Sequence, residues 1–105
     1  MSPEVVVITG ASAGVGRATA RRFGHHKARV ALLARGKDGL ERAKAEVQSS
    51  GGEALALAVD VANAGQVEEA AATIEAAFGP IDIWINNAMA PTLRATATTR
   101  SSTTA

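Results

Sequence analysis

The chain of 105 residues contains no cysteine. That absence excludes disulfides, thiolate catalysis and a cysteine-based zinc site, and it suits a reducing compartment, so a cytoplasmic setting is expected. No charge of one sign dominates: 11 Lys plus Arg against 10 Asp plus Glu leave a net charge of +1, which gives no electrostatic case for nucleic acid or an anionic membrane. Long apolar runs are missing as well. Val5 to Ile8 is far too short for a signal-peptide core or a membrane span, so neither export nor insertion is expected. Aromatic residues make up 3% of the chain, with one tryptophan and no tyrosine. The length allows one small core, but falls below the roughly 200–250 residues that α/β enzymes often use for a domain.

What is present is concentrated near the start. Val5-Val6-Val7-Ile8-Thr9 reads as a buried strand, and Gly10-Ala11-Ser12-Ala13-Gly14-Val15-Gly16 turns directly out of it into a helix. Glycine at position 10 permits a tight turn, Gly14 lets backbone approach an anion, and Gly16 permits close packing of helix on strand. The helix that follows offers free N–H groups and the positive end of its dipole, so the segment reads as a phosphate cradle.

The remainder alternates between the two periodicities. Val15 to about Lys27 predicts a helix with Ala18, Thr19 and Phe23 inward, and Arg29 to Ala34 a second buried strand. Leu40, Ala43 and Val47 recur at helical spacing before the turn residues Ser49-Ser50-Gly51-Gly52, and Ala54 to Val59 predicts a third strand. Asn63 with Gln66 resembles a capping box. Val67, Ala70, Ala71, Ile74 and Phe78 then trace one face of a helix that Gly79-Pro80 ends. Ile81, Ile83, Trp84 and Ile85 predict a fourth strand running into Asn86-Asn87-Ala88, with Trp84 as a core residue. Strand and helix in strict alternation imply a parallel α/β sheet with right-handed crossovers. Residues 91–105 break the rhythm. Their six Thr, two Ser and three Ala, with one leucine and no acid, predict a disordered tail after a domain of residues 1–90.

Thr9-Gly10-x-x-x-Gly14-x-Gly16, Asp60-Val61 after the third strand and Asn86-Asn87-Ala88 after the fourth together resemble the short-chain dehydrogenase/reductase family over about residues 4 to 89. The resemblance implies a Rossmann-like, doubly wound parallel sheet, truncated after about four strands in the order 3-2-1-4. It also implies that Thr9, Gly10, Ser12, Ala13, Gly14, Val15 and Gly16 line the cofactor pyrophosphate and ribose, that Asp60 and Val61 meet the adenine, and that Asn86, Asn87 and Ala88 lie beside the adenosine ribose. Where the family carries a glycine after that last segment, this chain has Met89. A cap on the turn near Asn63 is the competing role for Asp60.

Cofactor choice turns on the end of the second strand. NAD-binding relatives place an acid there for the ribose hydroxyls; this chain has Ala34 and Arg35, with Lys37 close by. A guanidinium matches a 2′-phosphate with forked hydrogen bonds, so NADP is the expected cofactor and NAD the alternative. Ala13 adds no charge, and a solvated surface arginine is the competing role for Arg35. The family's chemistry uses a serine and a Tyr-x-x-x-Lys pair beyond the fourth strand. Here there is no tyrosine, and Lys27, Lys37 and Lys44 all precede the third strand, so no catalytic residue is assigned. The expectation is therefore the cofactor-binding part of an NADP-preferring oxidoreductase, inactive alone, with a non-catalytic NADP-binding module or sensor as the alternative. An apolar fourth strand left unpaired would favour self-association.

Overall fold

The computed structural model describes residues 3–11, 14–87 and 96–99. Its centre is β1 (Val5–Thr9), whose five residues are all buried. β2 (Arg29–Ala34) and β4 (Ile83–Asn86) flank it in parallel, with Val7 beside both Ala31 and Trp84. β3 (Glu53–Ala58) lies parallel and outside β2. The order β3-β2-β1-β4 is the one expected, and its reversal at β1/β4 opens the crevice where sheets of this kind take ligands.

Alternation along the strands sorts the core into two layers. Val6, Ile8, Val30 and Leu32 face α1 (Gly14–His25) and α2 (Lys37–Ser49), packing with Ala20, Leu40, Ala43 and Val47. Val5, Val7, Ala31 and Leu33 face the opposite way, toward Ala70 and Ile74 of α3 (Ala64–Phe78). Each fully buried leucine or isoleucine in these layers contributes roughly 1.5–3 kcal/mol relative to exposure. The strand entrances are stitched by polar contacts: Asp82 accepts from Val5 N–H at 2.9 Å through Oδ2, and its own N–H donates to Val5 O at 2.9 Å. Arg29 donates from Nη1 to Phe78 O at 3.1 Å, covering an open carbonyl at the end of α3.

Four expectations change. Ala18 is exposed and Thr19 only half-buried; the inward face of α1 is Gly16, Ala20 and Gly24, a close-packing row that a search for large apolar residues overlooks. The capping box is half formed. Asn63 Oδ1 accepts from Gln66 N–H at 3.1 Å, but the Gln66 side chain turns to Asp60 N–H at 2.9 Å instead of back to Asn63. Within the tail expected to be disordered, Thr96–Thr99 forms β5, antiparallel to β4; residues 91–95 and 100–105 lie outside the described residues. Consequently the fourth strand is not the open edge on which self-association was expected. β-Branched threonine suits a strand, and pairing satisfies backbone groups that β4 would otherwise leave bare.

Candidate functional site

The C-terminal ends of β1, β3 and β4 bring the expected residues to one rim of the sheet, and Thr9 ties two of them together. Its buried hydroxyl accepts from Asn87 N–H at 2.9 Å and lies 3.2 Å from Asn86 Oδ1, to which it can donate. Trp84 Nε1 donates to that same Asn86 oxygen at 3.3 Å, which leaves the Asn86 amide nitrogen as the end free to donate outward. Sequence reasoning gave Trp84 a packing role. It packs half-buried on the α3 side, and the indole N–H also orients Asn86.

The turn between β1 and α1 is built on absent side chains. Gly10 has φ 65°, and a Cβ there would run into the backbone carbonyl of Asn87. A Cβ on Gly16 would collide with Gly10 O and come within 2.7 Å of Asn87 Nδ2. The first segment of the turn is held from the other side, where Leu33 O accepts from Gly10 N–H at 2.8 Å. Gly14 and Val15 stand exposed at the start of α1, whose first-turn N–H groups have no intrahelical acceptors. Ser12, Ala13 and Ala88 lie outside the described residues.

Asp60 fills the competing role while keeping the ligand role open. Its Oδ1 accepts from Ala62 N–H at 3.0 Å, closing a turn, and its backbone carbonyl accepts from Asn63 N–H at 2.9 Å. Among the described residues Oδ2 makes no hydrogen bond. Val61, beside it, is 37% exposed, and Val15 is 63% exposed; these are the large apolar side chains that the described fold leaves in solvent, and both lie at the expected site. A cleft of about 410 Å³ runs beneath this rim between Val61, Val67, Trp84 and Asn86.

Arg35 is exposed directly after β2 and makes no ion pair among the described residues. It adjoins Gly36, the N-cap of α2, which supplies no side-chain acceptor to the first-turn amides. Arg35, the exposed Lys37 and an uncapped helix start thus put positive potential at one point, partly offset by Asp38. The missing cap at Gly36 was not read from the sequence; the absence of Ser, Thr, Asp or Asn before Lys37 was the available signal. The adjacent His25 and His26 are exposed at the far end of α1. No cluster suited to a metal ion occurs among the described residues, and none of their helices is long and apolar enough to cross a membrane.

The chain that builds this glycine turn, floored by Asn87 with Asp60 at the neighbouring crest, matches over residues 4–104 a family profile described as short chain dehydrogenase. The chain belongs to that family. It is 37% identical over 83 residues to a fatty acyl-CoA reductase of Mycobacterium tuberculosis, covering 79% of this chain and 28% of that protein. Among solved structures it is similar to L-sorbose reductase from Gluconobacter frateurii complexed with NADPH and L-sorbose, with a TM-score of 0.79 and 37% identity over 86% of this chain and 35% of the other. It is also similar to an NAD+-bound xylitol dehydrogenase, with a TM-score of 0.74 and 33% identity over 77% of this chain and 31% of the other. The chain spans about a quarter to a third of the length of the curated relatives it matches. As a member of the short-chain dehydrogenase family it has the NAD(P)-binding fold of an oxidoreductase.

Proposed function

We propose that this chain is the NADP-binding part of a short-chain oxidoreductase that moves hydride between NADPH and a carbonyl or alcohol substrate. The observation that carries the reading is the glycine turn at the end of β1, closed against Asn87 and opening onto the start of α1. There Gly10, Gly14, Val15 and Gly16, with Ser12 and Ala13 from the same motif, would hold the pyrophosphate against backbone N–H groups. Asp60 Oδ2 and Val61 would meet the adenine, and Asn86, Asn87 and Ala88 the adenosine ribose. Arg35, supported by Lys37 and the uncapped start of α2, would hold the 2′-phosphate that distinguishes NADP from NAD.

When bound, the cofactor would donate the hydride to a carbonyl in its reduced form or accept it from an alcohol in its oxidised form. This chain's residues bind and orient it; none of them is assigned to proton transfer, because the chain has no tyrosine. The alternative reading is a non-catalytic NADP-binding module, and the missing tyrosine is common to both. Both readings place the chain in the cytoplasm, consistent with a composition free of cysteine.

Calorimetric titration with NADPH and NADH tests the cofactor assignment. The parent should bind NADPH at least tenfold more tightly, and Arg35→Ala should remove that preference while leaving NADH binding unchanged, a change of about 1.4 kcal/mol or more. Equal affinity of the parent for both cofactors would overturn it. Turnover of simple carbonyl substrates by the purified chain would defeat both the inactive-part reading and the non-catalytic one.

A further inference from the structure

Among the described residues, the β3 edge of the sheet is apolar and pairs with no further strand. In β3, Glu53 N–H donates to Ala28 O at 3.1 Å and the following Val59 N–H to Ala34 O at 2.9 Å, so odd-numbered residues turn their backbone groups toward β2. The N–H and C=O groups of Ala54, Ala56 and Ala58 therefore point away from the sheet. Common protections of an edge are absent: Ala54 to Ala58 contains no proline and no charge, and its pairing with β2 runs without a bulge. Leu55 and Leu57 are only half-buried on the α3 side, beside an open groove of about 440 Å³ between Val59, Ala70 and Thr73.

We propose that β3 is a self-association surface that pairs antiparallel with β3 of a second copy of this chain. The sequence is self-complementary in one register. With Ala56 opposite Ala56 of the second copy on the two-fold axis, Ala54 faces Ala58 and Ala58 faces Ala54, so the outward groups of all three alanines can be satisfied. The same register sets Leu55 opposite Leu57 on the α3 side in the close, non-hydrogen-bonded pairs, where side chains approach most. Two-fold symmetry normal to the sheet keeps leucines with leucines and alanines with alanines. No charged residue then faces one of the same sign, since Glu53 lies opposite Val59. The other edge already shows that this parallel sheet accepts an antiparallel neighbour, because β5 pairs with β4 in that sense. Nothing in this proposal depends on cofactor binding.

Sedimentation equilibrium of the full chain over a range of concentrations provides the first test. A monomer–dimer equilibrium is expected, and Ala56→Lys, which places a charge beside its own copy at the axis, should weaken it at least tenfold. Cysteine variants read the register directly, because the chain has no other thiol. Opposed hydrogen-bonded Cα atoms lie about 5.5 Å apart, within the range a disulfide spans, so Ala56→Cys should cross-link to itself under mild oxidation. Ala58→Cys should not, since its copies would be roughly 14 Å apart along the strands. An equimolar mixture of Ala54→Cys and Ala58→Cys should form the mixed dimer. A chain that is monomeric at every concentration would overturn the proposal. So would a dimer that resists Ala56→Lys in a folded variant, or Ala58→Cys cross-linking to itself as readily as Ala56→Cys.

Discussion

The backbone carbonyl of Asn87 occupies the place that a Cβ on Gly10 would take, so the end of β4 and the turn after β1 are mutually exclusive with any side chain at residue 10. Gly10 also has φ 65°, a region costly for other L-residues. Gly10→Ala should therefore lose roughly 2–4 kcal/mol, combining backbone strain with forced displacement of the packed carbonyl. Gly14 separates these causes: it has φ 61° but no neighbour within 4 Å of a Cβ, so Gly14→Ala should lose only about 1–2 kcal/mol. Urea midpoints of the two variants compare them directly. Equal losses would show that strain alone, without the Asn87 contact, sets the cost.

Thr9 should depend on its hydroxyl. Thr9→Val keeps the shape but leaves the buried N–H of Asn87 without its acceptor, at a cost of about 1–3 kcal/mol. Thr9→Ser restores the acceptor and should be less destabilised than the valine variant. A valine variant as stable as the parent in urea unfolding would show that the hydroxyl contributes nothing through Asn87.

The Arg17–Glu46 pair joins α1 to α2 and should give the stability a specific acid dependence. Arg17 donates from Nε to Glu46 Oε1 at 3.0 Å and from Nη2 to Oε2, and these hydrogen bonds hold the Glu46 carboxyl below its ordinary range, with burial opposing and the nearby Arg21 and Arg42 assisting. A carboxyl lowered in the folded state stabilises above its unfolded pKa, near 4.3, and loses that contribution as pH falls through the folded value. Glu46→Gln should thus unfold at lower urea than the parent at neutral pH, and the gap should close in acid. Added salt should narrow the neutral-pH gap because the pair is accessible to solvent. A gap that persists unchanged below the folded value would rule out the ion pair as its source.

Asp60 offers a separation of turn and ligand roles. Asparagine can keep the acceptor for Ala62 N–H, so Asp60→Asn should leave the urea midpoint nearly unchanged. It replaces the carboxylate, and NADPH affinity should fall severalfold if Oδ2 meets the adenine amine. Unchanged affinity in calorimetry would leave Asp60 with its turn role alone.

Much of this arrangement was legible residue by residue. Val5 to Thr9 and Arg29 to Ala34 are short, continuous apolar runs bounded by turn residues, and both strands have the expected limits. Leu40, Ala43 and Val47 form the buried row of α2 because helical periodicity is strong when large and small apolar residues recur among charged ones. The inward row of α1 was hidden for the converse reason. Gly16 and Gly24 carry no hydrophobic signal, and their burial follows from what packs against them: Gly24 would bring a Cβ within 3.1 Å of Val47. Thr96–Thr99 was equally unreadable, since a polar, Thr-rich segment gains strand structure only from the partner beside it.

The amino-acid sequence by itself determined the alternation of strands and helices, the glycine turn and the residue types expected to meet a dinucleotide, because these depend on local periodicity and on the steric freedom of single residues. Tertiary structure alone decided that Asn87 floors the turn, that Trp84 and Thr9 share one oxygen of Asn86, that β5 covers β4, and that β3 is the open edge among the described residues. Those relationships join residues far apart in the chain. They are governed by packing and hydrogen-bond satisfaction across the sheet, which no local pattern encodes.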